Sequence, residues 1–274
     1  MSRARLMARA AYALALGLSL GHCAQAPLQH GVAAGPRSLG IALSPEQSLA
    51  ARQRMAAARP GIEQASATLK TSRFGPEGRL RVTLQLVLKR PNQFRITVLG
   101  PHGPPVYAVA CDGAQLTALD VAAKSYSAQP ATPAGIAHHL GGLDLGLTAE
   151  EWVDLFLGTL HVPEDAWASR EKAEDNAPIT WRWSEGTRQM AAQFDGLSGQ
   201  LLRASMILSD GREGTITLKG RSPWGLVEQL QVHLGASAHE AAQDVDMSLS
   251  DGQLLPASLD DGAFRLDAPA VPSL

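Results

Sequence analysis

The stretch that decides the fold is residues 79–113, RLRVTLQLVLKRPNQFRITVLGPHGPPVYAVACDG. Its first arm places Leu80, Val82, Leu84, Leu86 and Leu88 on one face. Arg79, Arg81, Thr83, Gln85 and Lys89 fall on the other, with Val87 the one exception. Side chains alternate sides along a strand, so this period of two describes a sheet with one apolar face and one wet face. Pro91-Asn92 breaks the run, and the alternation restarts with Phe94, Ile96 and Val98 against Arg95 and Thr97. A Gly/Pro-rich loop over residues 100–105 then turns the chain into a third strand, residues 106–111, closed by Asp112-Gly113. The result is an antiparallel meander with an apolar face. What covers that face is the functional question.

Upstream, Ser44-Pro45-Glu46 opens a predicted helix that runs to Arg59, with serine as N-cap and proline at the first helical position. Pro60-Gly61 ends it. Residues 62–74 predict a strand, and Gly75-Pro76-Glu77-Gly78 makes the turn into the meander. Downstream, residues 115–120 and 124–128 predict a further hairpin-like pair.

The pattern then changes. Thr132-Pro133 begins a short helix through Ile136, Ala137 and Leu140, which Gly141 ends. Thr148-x-x-Glu151 is a capping box that opens a second, carrying Trp152, Val153, Leu155, Phe156 and Leu157 before Gly158. Apolar residues surround most of this second helix, which predicts burial on more than one side. Two short apolar helices set between strands suit the lining or plugging of a curved sheet.

Alternation resumes with Ile179, Trp181 and Trp183, and then with Met190, Ala192 and Phe194 sharing a face with Arg188. It continues through Leu202 to Leu208, Ile216 and Leu218, Leu230 to Leu234, and Val245 to Leu249, with Asp-Gly turns at 195, 210 and 251. Some ten to twelve antiparallel strands, in one continuous sheet and one domain, account for this pattern. Many short strands with regular turns imply a sandwich or a barrel.

At 274 residues the chain fits one large β domain or two smaller ones, and 45% hydrophobic content supports a sizeable core. A net charge of -2 leaves no basic footprint, so nucleic acid is not an expected partner. Arg3, Arg5 and Arg9 precede an uncharged run over residues 10–20, which describes an export signal too short to span a membrane as a helix. Leu20-Gly21-His22-Cys23 has the form of a lipobox, with His22 where a small residue is usual. Cleavage there makes residues 1–22 the signal peptide, Cys23 the lipid anchor and residues 23–44 a tether to a domain at 45–274. The rival is ordinary cleavage after Ala24-Gln25-Ala26, ahead of Pro27, which yields a soluble exported protein.

Motifs for chemistry are few. His239-Glu240-Ala241-Ala242-Gln243 has glutamine where a zinc-protease motif needs its second histidine. His138-His139 are adjacent and diverge on a helix. Gly196-Leu197-Ser198-Gly199 fails the spacing of a nucleophile elbow. Glu150-Glu151 and Asp260-Asp261 read as a helix N-terminal pair and a turn. Cys111 reads as a small core residue. These residues give no support for catalysis, and no cofactor or metal is expected.

The order of features resembles the outer-membrane lipoprotein carrier and receptor superfamily, the LolA/LolB group. The resemblance is carried by residues 79–160: the amphipathic strand, the Pro-x-x-Phe-Arg-Ile-x-Val strand from 91, Gly100-Pro101-His102-Gly103, Asp112-Gly113, Lys124-Ser125-Tyr126 and the two helices. It implies a mainly β fold, a single antiparallel sheet curved into an incomplete β-barrel around short helices. It also implies an apolar cavity that accepts lipid or lipoprotein acyl chains. The implied lining is Leu80, Val82, Leu84, Phe94, Ile96 and Val98 from the meander, Ile136, Leu140, Trp152 and Phe156 from the helices, and Trp181, Trp183, Met190 and Phe194 opposite. For each of these the alternative is ordinary dry core. The receptor type exposes a large hydrophobic residue on a membrane-facing loop after the third strand. The matching tip here is Pro101, His102 and Gly103, which departs from that type in having no large aliphatic side chain. The implied setting is the periplasmic side of the outer membrane, anchored through Cys23, with an envelope protein as the other possible partner.

Overall fold

The computed structural model describes residues 40–59, 61–75, 78–237, 241–255 and 259–268. The signal-peptide and Cys23 readings lie outside these residues. Among the described residues fourteen strands form one sheet, every neighbouring pair antiparallel. They are β1 (Ile41–Ala42), β2 (Gln64–Gly75), β3 (Gly78–Lys89), β4 (Gln93–Leu99), β5 (Pro105–Cys111), β6 (Gln115–Asp120) and β7 (Ser125–Pro130). Then follow β8 (Trp167–Arg170), β9 (Ile179–Glu185), β10 (Arg188–Phe194), β11 (Leu201–Ile207), β12 (Glu213–Arg221), β13 (Val227–Leu234) and β14 (Gln243–Leu254). The helices are α1 (Pro45–Ala58), α2 (Pro133–His139) and α3 (Ala149–Phe156).

The strand order is β1-β8-β9-β10-β11-β12-β13-β14-β2-β3-β4-β5-β6-β7. Two meanders, β2 to β7 and β8 to β14, are therefore joined by one long-range pairing, β14 with β2. Among the described residues the sheet ends on β7 and β1, which do not pair with each other, so the barrel is incomplete. The chain must pass from one edge to the other between β7 and β8, and α2 and α3 lie in that passage. This is why helices occupy the hollow.

Period-two patterning survives pair by pair. Leu88, Leu86 and Leu84 face Phe94, Ile96 and Val98 across the ladder, and these face Cys111, Val109 and Tyr107. On the other arm Trp181 and Trp183 meet Ala192 and Met190, which meet Ala204 and Met206. The two strands beyond the expected ten to twelve are β1 and β8, of two and four residues, too short to show a period. Ile41 and Ala42, inside the stretch read as tether, pair with Arg170 and Ser169.

The helix caps follow their sequence signals. Ser44 and Gln47 cap α1 reciprocally, as Thr148 and Glu151 cap α3. Helix α1 lies against the end of the barrel where β3 finishes. Arg52 donates to the carbonyls of Val162, Pro163 and Glu164, with its guanidinium 4.3 Å from the centroid of the Trp181 ring. In the same region Asp154 of α3, 2% exposed, is paired with Arg90 and, at 3.4 Å, with Arg59. The convex face of the first meander is covered over β5 and β6. Leu266 packs on Ala108 and Ala110, its N–H donating to Thr117 Oγ1 at 3.1 Å.

Candidate functional site

The concave face is filled unevenly. Along β3, Leu88 and Leu86 are 2% and 3% exposed, whereas Leu84, Val82 and Leu80 are only half-buried. The filler comes from the connection between α2 and α3, where Leu143, Leu145 and Leu147 are all buried. Leu145 runs so close to β12 that a Cβ on Gly214 would stand 2.7 Å from its Cδ2. Glycine there permits the approach. Arg188 secures the passage by donating to the Gly146 carbonyl at 2.8 Å and pairing with Glu151 at 2.7 Å. The concave face of β9–β13 is accordingly dry core.

At the opposite end a cavity of about 1130 Å³ remains. Its apolar wall includes Leu80, Val82, Val98, Val106 and Met247, with Leu99 and Pro101 from the end of β4 and the loop that follows. Tyr107 and His139 add a polar spot, the tyrosine hydroxyl lying 2.5 Å from His139 Nδ1. Burial, aided by Asp120, pushes the Tyr107 pKa up to about 12. Burial and then neighbouring His138 push that of His139 down to about 4. At neutral pH the pair is therefore uncharged, with the phenol donating to the imidazole. Thr71, 8% exposed, also borders the cavity, and its Oγ1 has no partner among the described residues. Residues of both strand faces reach the cavity, since Lys70, Arg79 and Arg81 line it as well.

Of the residues the sequence nominated as lining, Leu80, Val82 and Val98 border this cavity. Phe94, Ile96, Ile136, Trp152, Trp181, Trp183, Met190 and Phe194 are buried in the core, away from it. Leu84, Leu140 and Phe156 are partly buried against the same core, with Phe156 stacked on Trp152 at 5.8 Å. In the nominated membrane loop Pro101, His102 and Gly103 are all exposed, at the open end, with Pro101 on the cavity wall. Sequence reading passed over Thr71, Tyr107, His139 and Met247. Tyr107 and Met247 were open to discovery, because they share parity with Val109 and with Val245. His139 was weighed only as a metal ligand.

The motifs weighed for chemistry have structural partners. Glu151 caps α3 and pairs with Arg188; Asp260 caps a short 3-10 turn, Asp261–Phe264, and Asp261 pairs with Lys89 at 2.5 Å. Gln243 accepts from Arg73, while His239 and Glu240 lie outside the described residues. Cys111 is fully buried, and burial raises its thiol pKa. Among the described residues, no group of three or more His, Cys, Asp or Glu is placed to hold a metal.

No protein-family model matches this sequence, and no curated protein matches it. Solved structures do match in fold. A LolA superfamily protein from Nitrosomonas europaea aligns over 80% of this chain and 97% of its own, with TM-score 0.54 and 9% identity. A DUF1329 family protein from Desulfovibrio piger aligns over 80% and 96%, with TM-score 0.53 and 11% identity. A domain described as a candidate outer membrane lipoprotein-sorting protein, from Vibrio parahaemolyticus, aligns over 78% and 94%, with TM-score 0.51 and 10% identity. The chain has the LolA-like open-barrel fold.

Proposed function

We propose that this LolA-like protein works in the bacterial envelope by binding lipid, or the acyl chains of lipoproteins, in the cavity at the open end of its barrel. The observation that carries the proposal is the contrast within one concave face, packed solid under β9–β13 and hollow beneath Leu80, Val82, Val98 and Met247. A hydrocarbon chain needs only removable apolar surface. Each buried CH₂ contributes about 0.8 kcal/mol, so roughly a dozen contribute on the order of 10 kcal/mol gross. That offsets an association cost within the usual range of about 4–15 kcal/mol. The cavity exceeds the roughly 300–1,000 Å³ typical of small-ligand pockets, which favours a long or branched chain. The lipoprotein-sorting description of one fold neighbour agrees with this reading.

Cys23 is the proposed anchor, residues 1–22 the signal and the exposed 101–103 tip the part that meets the membrane. Binding requires no catalytic group. Intact-mass analysis of membrane-extracted protein tests the anchor and the ligand together. Expected are an acylated N-terminus at residue 23 and lipid recovered with the chain. Repeated recovery of empty protein that fails to take up a fluorescent hydrocarbon probe would overturn the reading. A second reading, docking of an envelope protein, is favoured by β7, an edge strand without a charged side chain and largely exposed. Envelope crosslinking from Tyr126 that traps a single protein but no lipid would select it.

A further inference from the structure

We infer that the cavity selects amphiphiles with an anionic head, a phosphodiester or a carboxylate, over neutral ones. This rests on the acyl-binding proposal and specifies its ligand. The chain as a whole is slightly acidic, with 24 Lys and Arg against 26 Asp and Glu. The cavity lining reverses that balance, since Lys70, Arg79 and Arg81 face one carboxylate, Asp246.

These cations are not committed elsewhere. Arg79 donates to Ser72 Oγ at 3.0 Å and sits 5.0 Å from the centroid of the Phe74 ring. Neither contact neutralises its charge. No carboxylate pairs with Lys70 or Arg81 among the described residues. Asp120, opposite Tyr107 in the ladder, accepts from the Ala123 N–H at 2.8 Å and keeps its charge, but it does not line the cavity. The half-buried, neutral His139 and Tyr107 add no charge of either sign.

Placement separates tail from head. Leu80 and Val82 alternate with Arg79 and Arg81 on β3, and Thr71 with Lys70 on β2, so apolar and cationic side chains leave opposite faces of the strands. Both sets nevertheless border one cavity, where the cations stand with the short polar residues Ser72, Thr83 and Ser248 of their own face. A chain on the concave side would leave its head beside those cations. There a phosphate or carboxylate gains charge-assisted hydrogen bonds, and a neutral glyceride gains none.

The test uses the purified full chain and a fluorescent diacylglycerol as probe. It is displaced by dioctanoyl forms of phosphatidylglycerol, phosphatidylcholine and diacylglycerol, by dodecanoate, and by inorganic phosphate. Phosphatidylglycerol is expected to bind roughly tenfold more tightly than diacylglycerol of equal chain length, with the preference shrinking as salt rises. Preference for phosphatidylglycerol over dodecanoate assigns the phosphodiester, and the reverse assigns the carboxylate. In Lys70→Gln/Arg81→Gln the preference should fall to about threefold or less. Lys70→Arg/Arg81→Lys should retain it, with thermal midpoints of both variants near that of the wild type. Equal binding of anionic and neutral chains overturns the head-group assignment and leaves acyl binding standing. Failure of every chain-bearing probe overturns both. Competition by inorganic phosphate alone overturns the assignment in favour of a free-anion site.

Discussion

The two ends of the concave face are built from the same kind of strand and come to opposite results. Under β9–β13, Trp181, Met190, Ala204, Met206 and Ile216 are buried in one core with Leu143, Leu145 and Leu147 of the 143–147 connection. At the outer ends of β2–β5 the same alternation continues through Leu80, Val82, Val98 and Tyr107, yet among the described residues α2 is the one helix that borders the space, through His138 and His139. An apolar strand face states a need for cover. Whether protein or ligand provides it depends on which segment crosses the barrel.

That contrast gives a ranked set of expectations. The largest concerns the closed end, where Asp154→Ala removes the carboxylate that neutralises buried Arg90. Stranding such a charge costs about 3–5 kcal/mol, seen as a large drop in the urea midpoint. A near-neutral result would show that Arg90 finds water and that this end is not sealed. Next, Ile216→Ala, at a position 0% exposed, should cost about 2–5 kcal/mol by the cavity it opens. The matched truncation Val82→Ala, at the hollow end, should cost under about 1 kcal/mol. Equal losses would mean that the open end is packed in solution.

A smaller effect follows from His139. Its folded pKa, about 4, lies below the ordinary histidine value of 6.5, so between these pH values the unfolded chain binds the extra proton. Stability should fall as pH drops from about 6.5 to 4 and level off below, by on the order of 1 kcal/mol for a partly exposed ring. Denaturant midpoints for wild type and His139→Gln should diverge at pH 7 and approach each other near pH 4. A histidine term absent from the wild-type profile would place the ring in open water. The smallest change in stability, within about 1 kcal/mol, is expected for Val82→Trp, because the added ring has a hollow to enter. The same substitution should sharply reduce uptake of a fluorescent hydrocarbon probe. Undiminished uptake would move the ligand site elsewhere.

Much of this architecture was legible. The parity of β3, β4, β9 and β10, the caps at Ser44, Thr132 and Thr148, and the Asp-Gly turns at 195 and 210 are local features, and local periods are visible in a linear string. Asp251-Gly252, read as a turn, instead continues β14 past a register shift and pairs with Thr68 and Ala67, because the long partner strand β2 carries the ladder through it. The lining was less legible. Phe94, Trp181 and Met190 satisfy the same alternation as Leu80 and Val82, but stand at the filled part of the barrel. Parity assigns a face and cannot assign a depth along it. Arg79 and Arg81 read as a solvated face from their parity, and Lys70 was not singled out. Their place on the cavity lining depends on how the sheet curves, which parity does not record.

From its sequence alone, then, this protein was determined to be a one-sided antiparallel sheet with two apolar helices inserted, since alternation, capping and turn chemistry act between residues a few positions apart. Only the tertiary structure decided that β14 joins β2, that residues 143–147 thread one half of the hollow, and that the other half stays open. Those outcomes depend on matching volumes between segments far apart in the chain, and no short-range pattern records how much space a distant segment will fill.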